Sequence, residues 1–320
     1  MILPRRVALA APFVATLPAM AQEAWPTRPV RFVVPFPPGQ ATDLFARVLA
    51  DDLSRKWPQR VVVENRSGGA GAIGMEAAAR SPADGYTIAV GSSGTVSTAP
   101  AMVPNLPYDP VRDFVAISML AVIPLIWVCN PALPVADIRA FVARARDQNL
   151  DYASGGPGST QHFGGELFRH ELRLRLNHIS YRGSAPAMTD LLAGVVPSMV
   201  DSVANSLPHI RAGRVKPLAV LTRNRVPWLP DVPTVAETVI PGFEVIGWAG
   251  LMAPAGTPMA VVEKINADAR ASLADRAIAN RIAEMGGIAG GNPQPEFAAY
   301  VASEAARWRQ IVREANIRVD

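Results

Sequence analysis

The sequence predicts an α/β protein made of two bodies. Each is a parallel-rich sheet flanked by helices, with a ligand cleft between them. Three observations lead there. Short apolar runs alternate with helical ones along the chain, which is the βαβ pattern. One long apolar run, VAISMLAVIPLIWVCN, carries Pro124 inside it and reads as a strand that bends from one body to the other. Loops rich in glycine, serine and threonine follow several of the strands, and such loops at an interface between bodies are default ligand sites.

The elements follow in order. RFVVPF is a strand. TDLFARVLADDLSRKW is an amphipathic helix, with Leu44 and Val48, and then Phe45, Leu49, Leu53 and Trp57, at spacings of four. Pro58 lies just past its end. VVVEN is the next strand. GGAGAIGMEAAARS is a helix entered through Gly68, Gly69 and Gly71, and YTIAVG is a strand after Gly85. The second body repeats the build. ADIRAFVARARD is a helix, DYASG a strand, TQHFGGELFRHEL a helix, LNHISY a strand and PAMTDLLAG a short helix. PSMVDS, PHIRAG and VKPLAVLT complete the alternation.

VPWLPDVPT is read as a proline-rich surface excursion, and GFEVIGWAGLMAP as a strand returning to the first body. Thr257 and Pro258 are expected to cap and open one long helix, MAVVEKINADARASLADRAIANRIAEMG. Pro295 opens the last helix, whose stripe of Phe297, Val301, Ala305 and Trp308 is a core-packing face.

The chain has 320 residues, 49% of them hydrophobic and 18% charged, which suits two packed bodies and excludes general disorder. Its first residues are a separate matter. MILPRR is basic, VALAAPFVATLPAMA is apolar, and Ala19-Met20-Ala21 has small outer residues. Residues 1–21 therefore read as a secretory signal cut after Ala21, and its apolar run is shorter than the roughly 20 residues that span a bilayer. The expectation is a soluble, exported protein.

Arg5 and Arg6 lie in that segment and supply half of the formal charge of +4, so the mature chain is only mildly basic. Arg144, Arg146, Arg169, Arg173 and Arg175 read as solvated helix faces with no aromatic ladder beside them, so no nucleic-acid partner is expected. Cys129 is the single cysteine and reads as a buried structural thiol. The four histidines lack metal-ligand spacing, and no metal or cofactor is expected.

Four loops carry the candidate binding chemistry. In PFPPGQATD, prolines stiffen the turn and Gly39 lets backbone approach closely. Thr42 and Asp43 stand at a helix start, where free N–H groups suit an anion; an ordinary strand–helix corner is the plainer alternative. Gly91-Ser92-Ser93-Gly94-Thr95 follows YTIAV, the run from Ser154 to Thr160 follows DYA, and Asp201-Ser202 follows PSMV. Together they would surround one small polar ligand with hydroxyls and backbone donors.

Ser159 with His162 permits a hydrolase reading, but no G-x-S-x-G order and no third orienting group support it. His162, His178 and His209 read as structural. Gly68-Gly69-x-Gly71-x-x-Gly74 has the look of a dinucleotide loop, yet it follows the second strand, which argues against that reading.

At this level of detail the chain resembles the Bug-type periplasmic solute receptors of the tripartite tricarboxylate transport systems. The resemblance rests on PFPPGQATDLFAR, VVVENRSGGAGAIGMEAAARSPADGYTI, LPYDPVRDF, YASGGPGSTQHFGGELF, ISYRGSAPAMTDLLAG, LPHIRAGRVKPLAV, LPDVPTVAE and GWAGLMAPAGTP, in family order. It implies a two-lobed "Venus flytrap" periplasmic binding protein, with residues 25–123 and 249–320 in one lobe and 124–248 in the other. It implies no catalysis.

The implied ligand is a small carboxylated solute: an amino acid, an aromatic acid or a di- or tricarboxylate. The implied partners are membrane transporter subunits, with a monomeric receptor in the periplasm. A sensing partner of a membrane receptor, with no uptake role, is the alternative. The implied ligand-binding residues are Phe36, Pro38, Gly39, Thr42, Asp43, Ser92, Ser93, Thr95, Ser154, Gly158, Ser159, Thr160 and Asp201. Asp201 would contact or orient the distal part of the ligand. Gln40 stands where the family usually has a second glycine, and its amide is added to the set as a residue that narrows the pocket or touches ligand. Closure is expected at Val122 to Leu125 and at Gly247 to Gly250.

Overall fold

The computed structural model describes residues 25–314. The expected signal segment lies outside them. Ten strands are present among these residues: β1 (Val30–Val34), β2 (Val61–Asn65), β3 (Thr87–Ser92), β4 (Phe114–Cys129), β5 (Leu150–Ser154), β6 (Leu176–Ser180), β7 (Ser198–Ser202), β8 (Lys216–Val220), β9 (Ile246–Pro254) and β10 (Ile288–Ala289). They form one curled, helix-flanked sheet in the order β2-β1-β3-β9-β4-β7-β5-β6, with β8 and β10 also paired to β4. β1 pairs parallel with β2 and β3, and β5 pairs parallel with β6 and β7. β9 and β4 run antiparallel to their neighbours and join the two parallel halves.

β4 is the structural spine. From Phe114 to Pro124 it pairs with β9; from Leu125 to Cys129 it pairs with β7 and β8. Pro124 sits at the changeover. A proline cannot donate to a ladder, so a change of partners is a natural place for one. Each half of the sheet is packed on both faces. Phe32, Phe45, Leu49 and Ile265 fill one cluster and Met75, Trp248, Met252 and Phe297 another on the first half. Trp127, Phe141, Tyr152 and Phe168 fill one, and Ile126, Met188, Met199 and Leu207 another, on the second.

Several expectations need correction. The long helix after Pro258 is two helices, Met259–Ala274 and Arg276–Glu284, because the Asp275 carboxylate accepts from the Ala277 N–H and caps a new start. Thr257 does not cap the first of them; its hydroxyl donates to the Pro254 carbonyl. VPWLPDVPT is no surface excursion, since Val226, Leu229 and Val232 are buried in the cluster of Ile126 and Met199. Gly94 and Thr95, read as the end of a loop, instead open a π-helical turn, Gly94–Thr98, that runs into a short α-helix, Ala99–Met102.

The last helix, Gln294–Glu314, reaches across the molecule. Phe297 and Val301 pack with Trp248, while Trp308 and Val312 pack with Trp127 and Phe163 of the other half.

Candidate functional site

Loops from both halves meet on a small cavity of about 40 Å³. Its lining includes Phe36, Gln40 and Thr42 from the loop after β1, and Ser92 and Ser93 from the end of β3. Ser159 and Thr160 come from the loop after β5. Six hydroxyls (Thr42, Ser92, Ser93, Ser159, Thr160, Ser202) and the amides of Gln40 and Gln161 line it, and no charged side chain does.

Helix ends supply the missing charge. Gln40 is the N-cap of Ala41–Lys56, Ser159 of Thr160–Leu172, and Ser202 of Val203–Arg211. The first residues of two of these helices, Ala41 and Thr42 and then Thr160 and Gln161, line the cavity beside all three N-caps. Helix N-termini carry partial positive charge and free N–H groups, so this cavity suits an anion without an arginine.

The two halves touch through hydroxyls. Ser93 Oγ and Thr160 Oγ1 lie 2.6 Å apart, and Ser93 Oγ also accepts from the Trp248 N–H at 3.3 Å. Thr98 Oγ1 donates to the Gly158 carbonyl at 2.8 Å. Gly158 holds φ +71°, and a Cβ there would meet Val103 and Ala99 at 3.2 and 3.4 Å. Only glycine allows that approach without strain.

Of the remaining candidates, Asp43, Thr95, Ser154, Gly158 and Asp201 are buried outside this lining, whereas Pro38 and Gly39 are exposed. Asp43 is buried, and its carboxylate accepts from the Gly39 N–H at 2.9 Å and from Asn65 at 2.8 Å. It also pairs with Arg47 at 2.9 Å. Burial works to raise its pKa, but the bonds from Arg47, Gly39 and Asn65 outweigh this and hold it below the ordinary carboxylate value. Asp43 thus pins the turn that carries Pro38 and Gly39. Thr95 is buried and its hydroxyl accepts from the Ser92 N–H.

Ser154 Oγ is 2.7 Å from His178 Nε2 and accepts from the Gly156 N–H. Asp201 is fully buried, accepting from Ser184 and Ser206 at 2.7 and 3.1 Å. Burial pushes its pKa up to about 6 against those bonds.

Ser159 and His162 are not a nucleophile and base. Ser159 Oγ donates to the Gly156 carbonyl and accepts from the His162 backbone N–H, while the ring Nδ1 of His162 accepts from the Gly158 N–H. His162 stacks on His178 with centroids 3.9 Å apart. Burial lowers their pKa values to about 4 and about 3. Among the described residues no group of three histidine, cysteine or carboxylate side chains is placed to hold a metal. No described helix is long and apolar enough to cross a membrane.

Sequence reasoning missed Ile123, Leu125, Gly247 and Trp248 as lining residues. They were read as strand and hinge, and only the pairing of β4 with β9 brings them under the loops. Gln161 and Ser202 were within reach, since each adjoins a named candidate.

Residues 45–317 match the model of the tripartite tricarboxylate transporter family receptor. The chain is 36% identical over 321 residues to Protein BugT of Bordetella pertussis, covering 98% of each. Its fold matches Rpa4515 of R. palustris, solved with adipate, with a TM-score of 0.89 and 36% identity, covering 92% of this chain and 99% of that one. It also matches MatC of Rhodopseudomonas palustris, solved with malate, with a TM-score of 0.83 and 32% identity, covering 90% and 100%. The chain therefore belongs to the tripartite tricarboxylate transporter family receptors, which are solute-binding proteins and not enzymes.

Proposed function

We propose that this protein is a periplasmic receptor that closes on a small carboxylated solute and delivers it to membrane subunits of a tripartite tricarboxylate-type transporter. The observation that carries the reading is the uncharged cavity of hydroxyls and helix N-termini, built from both halves of the sheet. Neutral donors held in place bind a carboxylate through charge-assisted hydrogen bonds. The relatives solved with adipate and malate support an acid as ligand.

In this reading residues 25–123 and 249–320 form one lobe and 124–248 the other. The hinge lies at Val122 to Leu125 and Gly247 to Gly250, where β4 leaves β9: Pro124 still faces Ile246, whereas Leu125 faces Ser202. Phe36, Gln40, Thr42, Ser92, Ser93, Ser159 and Thr160 touch the ligand. Pro38, Gly39, Asp43, Thr95, Ser154, Gly158 and Asp201 hold the loops that present them. The signal at residues 1–21 directs export, and the receptor works as a monomer.

A thermal-shift screen of the refolded mature protein against amino acids, aromatic acids and di- and tricarboxylates tests the reading. A ligand that binds only the native state raises its midpoint by mass action. At least one acid is expected to do so, and the Thr42→Ala, Ser159→Ala double variant is expected to lose the shift. A screen in which no acid shifts the midpoint contradicts the proposal.

A further inference from the structure

Gln40 ends the loop after β1 and is the N-cap of Ala41–Lys56, yet its side chain makes no capping hydrogen bond. It is only 9% exposed, and among the described residues its amide has no hydrogen-bond partner. The side chain reaches across to the other half of the sheet instead. A Cβ placed on Gly155, in the loop after β5, would meet Gln40 Nε2 at 3.3 Å. One placed on Gly183, in the loop after β6, would meet the same nitrogen at 3.6 Å and Pro37 Cγ at 3.2 Å. The amide therefore lies in a slot floored by two glycines of the second half.

The turn that carries Gln40 is tied to the first half. Asp43 accepts from the Gly39 N–H at 2.9 Å, and Asn65 of β2 donates to the Phe36 carbonyl at 3.0 Å. When the halves part, this turn stays with β1 and β2, and Gln40 leaves the slot. A side chain fixed to one half and buried against the other favours the arrangement in which the two are together.

We propose that Gln40 is a positioning residue that latches the two halves together. Seated between Gly155 and Gly183, it raises the closed fraction of the receptor before any solute enters. This rests on the hinge of the receptor reading above. A more populated closed state strengthens solute binding in proportion.

The test is small-angle X-ray scattering of the refolded mature protein with no solute added. The unaltered chain is compared with Gln40→Gly, Gln40→Met and Gly155→Val. Gln40→Gly empties the slot, and Gly155→Val fills it and expels the amide. Gly155 does not hold a positive φ, so a side chain there meets no left-handed backbone. Both variants are expected to have a larger radius of gyration. Their closed-to-open ratio is expected to fall about tenfold, the effect of exposing two methylenes. Gln40→Met keeps the length and bulk of the side chain and loses only the unpartnered amide, so it is expected to scatter as the unaltered protein does. The Gln40→Gly, Gly155→Val double variant is expected to be no more open than either single one, because both act on the same slot.

A residue that only supports the fold would lower the urea midpoint of Gln40→Gly and leave its radius of gyration unchanged. That result overturns the inference, as does opening in Gln40→Met equal to that in Gln40→Gly. The scattering needs no acid, so failure of the latch and failure of the receptor reading are seen in separate experiments.

Discussion

The hydroxyls of Ser93 and Thr160 lie 2.6 Å apart although 67 residues separate them in the chain. Ser93 follows β3 in the first half of the sheet, and Thr160 opens the helix after β5 in the second. Both line the hydroxyl cavity. The same two side chains therefore join the halves and face the proposed ligand.

Ser93→Ala and Thr160→Val are each expected to weaken acid binding by about 1.5–3 kcal/mol, the cost of losing one hydrogen bond to a charged group. Because the hydroxyls act as a pair, the double variant is expected to lose less than the sum of the singles. Calorimetry on all four proteins measures this coupling. Additive losses would mean that the two hydroxyls act independently.

Gly158→Val places a branched side chain at φ +71°, against Val103 and Ala99. The strain is expected to cost about 1–3 kcal/mol of stability. It also pushes apart the Gly158 carbonyl and Thr98, a contact between the halves. Urea unfolding should show the lower midpoint, and binding should weaken further than the stability loss alone explains.

The stacked His162 and His178 are buried neutral, with pKa values lowered to about 4 and about 3. The unfolded chain takes up protons first as pH falls below the ordinary histidine value near 6.5. Stability is therefore lost as pH falls from about 6.5 toward 4. Glu166, Tyr152 and Arg169 surround the pair, and the Glu166 carboxylate accepts from Tyr152 and pairs with Arg169. Urea midpoints measured between pH 7 and pH 4.5 are expected to fall, and to fall less steeply in His178→Gln.

Asp201 works in the opposite direction. Its carboxyl is raised to about 6 by burial, so the folded state keeps a proton that the unfolded chain releases near pH 4. This contribution is present at low pH and is lost as pH rises from about 4 to 6. Asp201→Asn keeps a polar group against Ser184 and Ser206 and removes the titration. Its stability relative to the unaltered protein is expected to improve by about 2–3 kcal/mol from pH 4 to pH 7. A constant difference across that range would show that Asp201 is ionised in the fold throughout.

Strands β1 to β9 were legible because most of their apolar runs are short and bounded by Gly, Pro, Asn or Ser, and the bend in β4 because Pro124 interrupts a long one, whereas the two-residue β10 was not read. Local pattern could not show the partners. That Trp248 lies under the cavity depends on β9 lying between β3 and β4. The break at Asp275 was hidden by a helical pattern continuing on both sides, although an aspartate is a strong N-cap. GTVSTAPAM lacks any apolar stripe, so its helical turns rest on tertiary contacts such as the Tyr108 hydroxyl donating to the Thr95 carbonyl at 2.6 Å. Residues of all four candidate loops line one cavity. Which side chains face inward was not readable, because Asp43 and Asp201 satisfy their carboxylates within the protein.

A crystal structure with the tightest-binding acid tests the central claim most directly. One ligand carboxylate is expected within hydrogen-bond distance of hydroxyls from both halves, Thr42, Ser92 or Ser93 on one side and Ser159 or Thr160 on the other. No charged side chain should lie within ion-pair distance of that carboxylate. A ligand seated elsewhere, or a carboxylate at that position paired to an arginine or lysine, would contradict it.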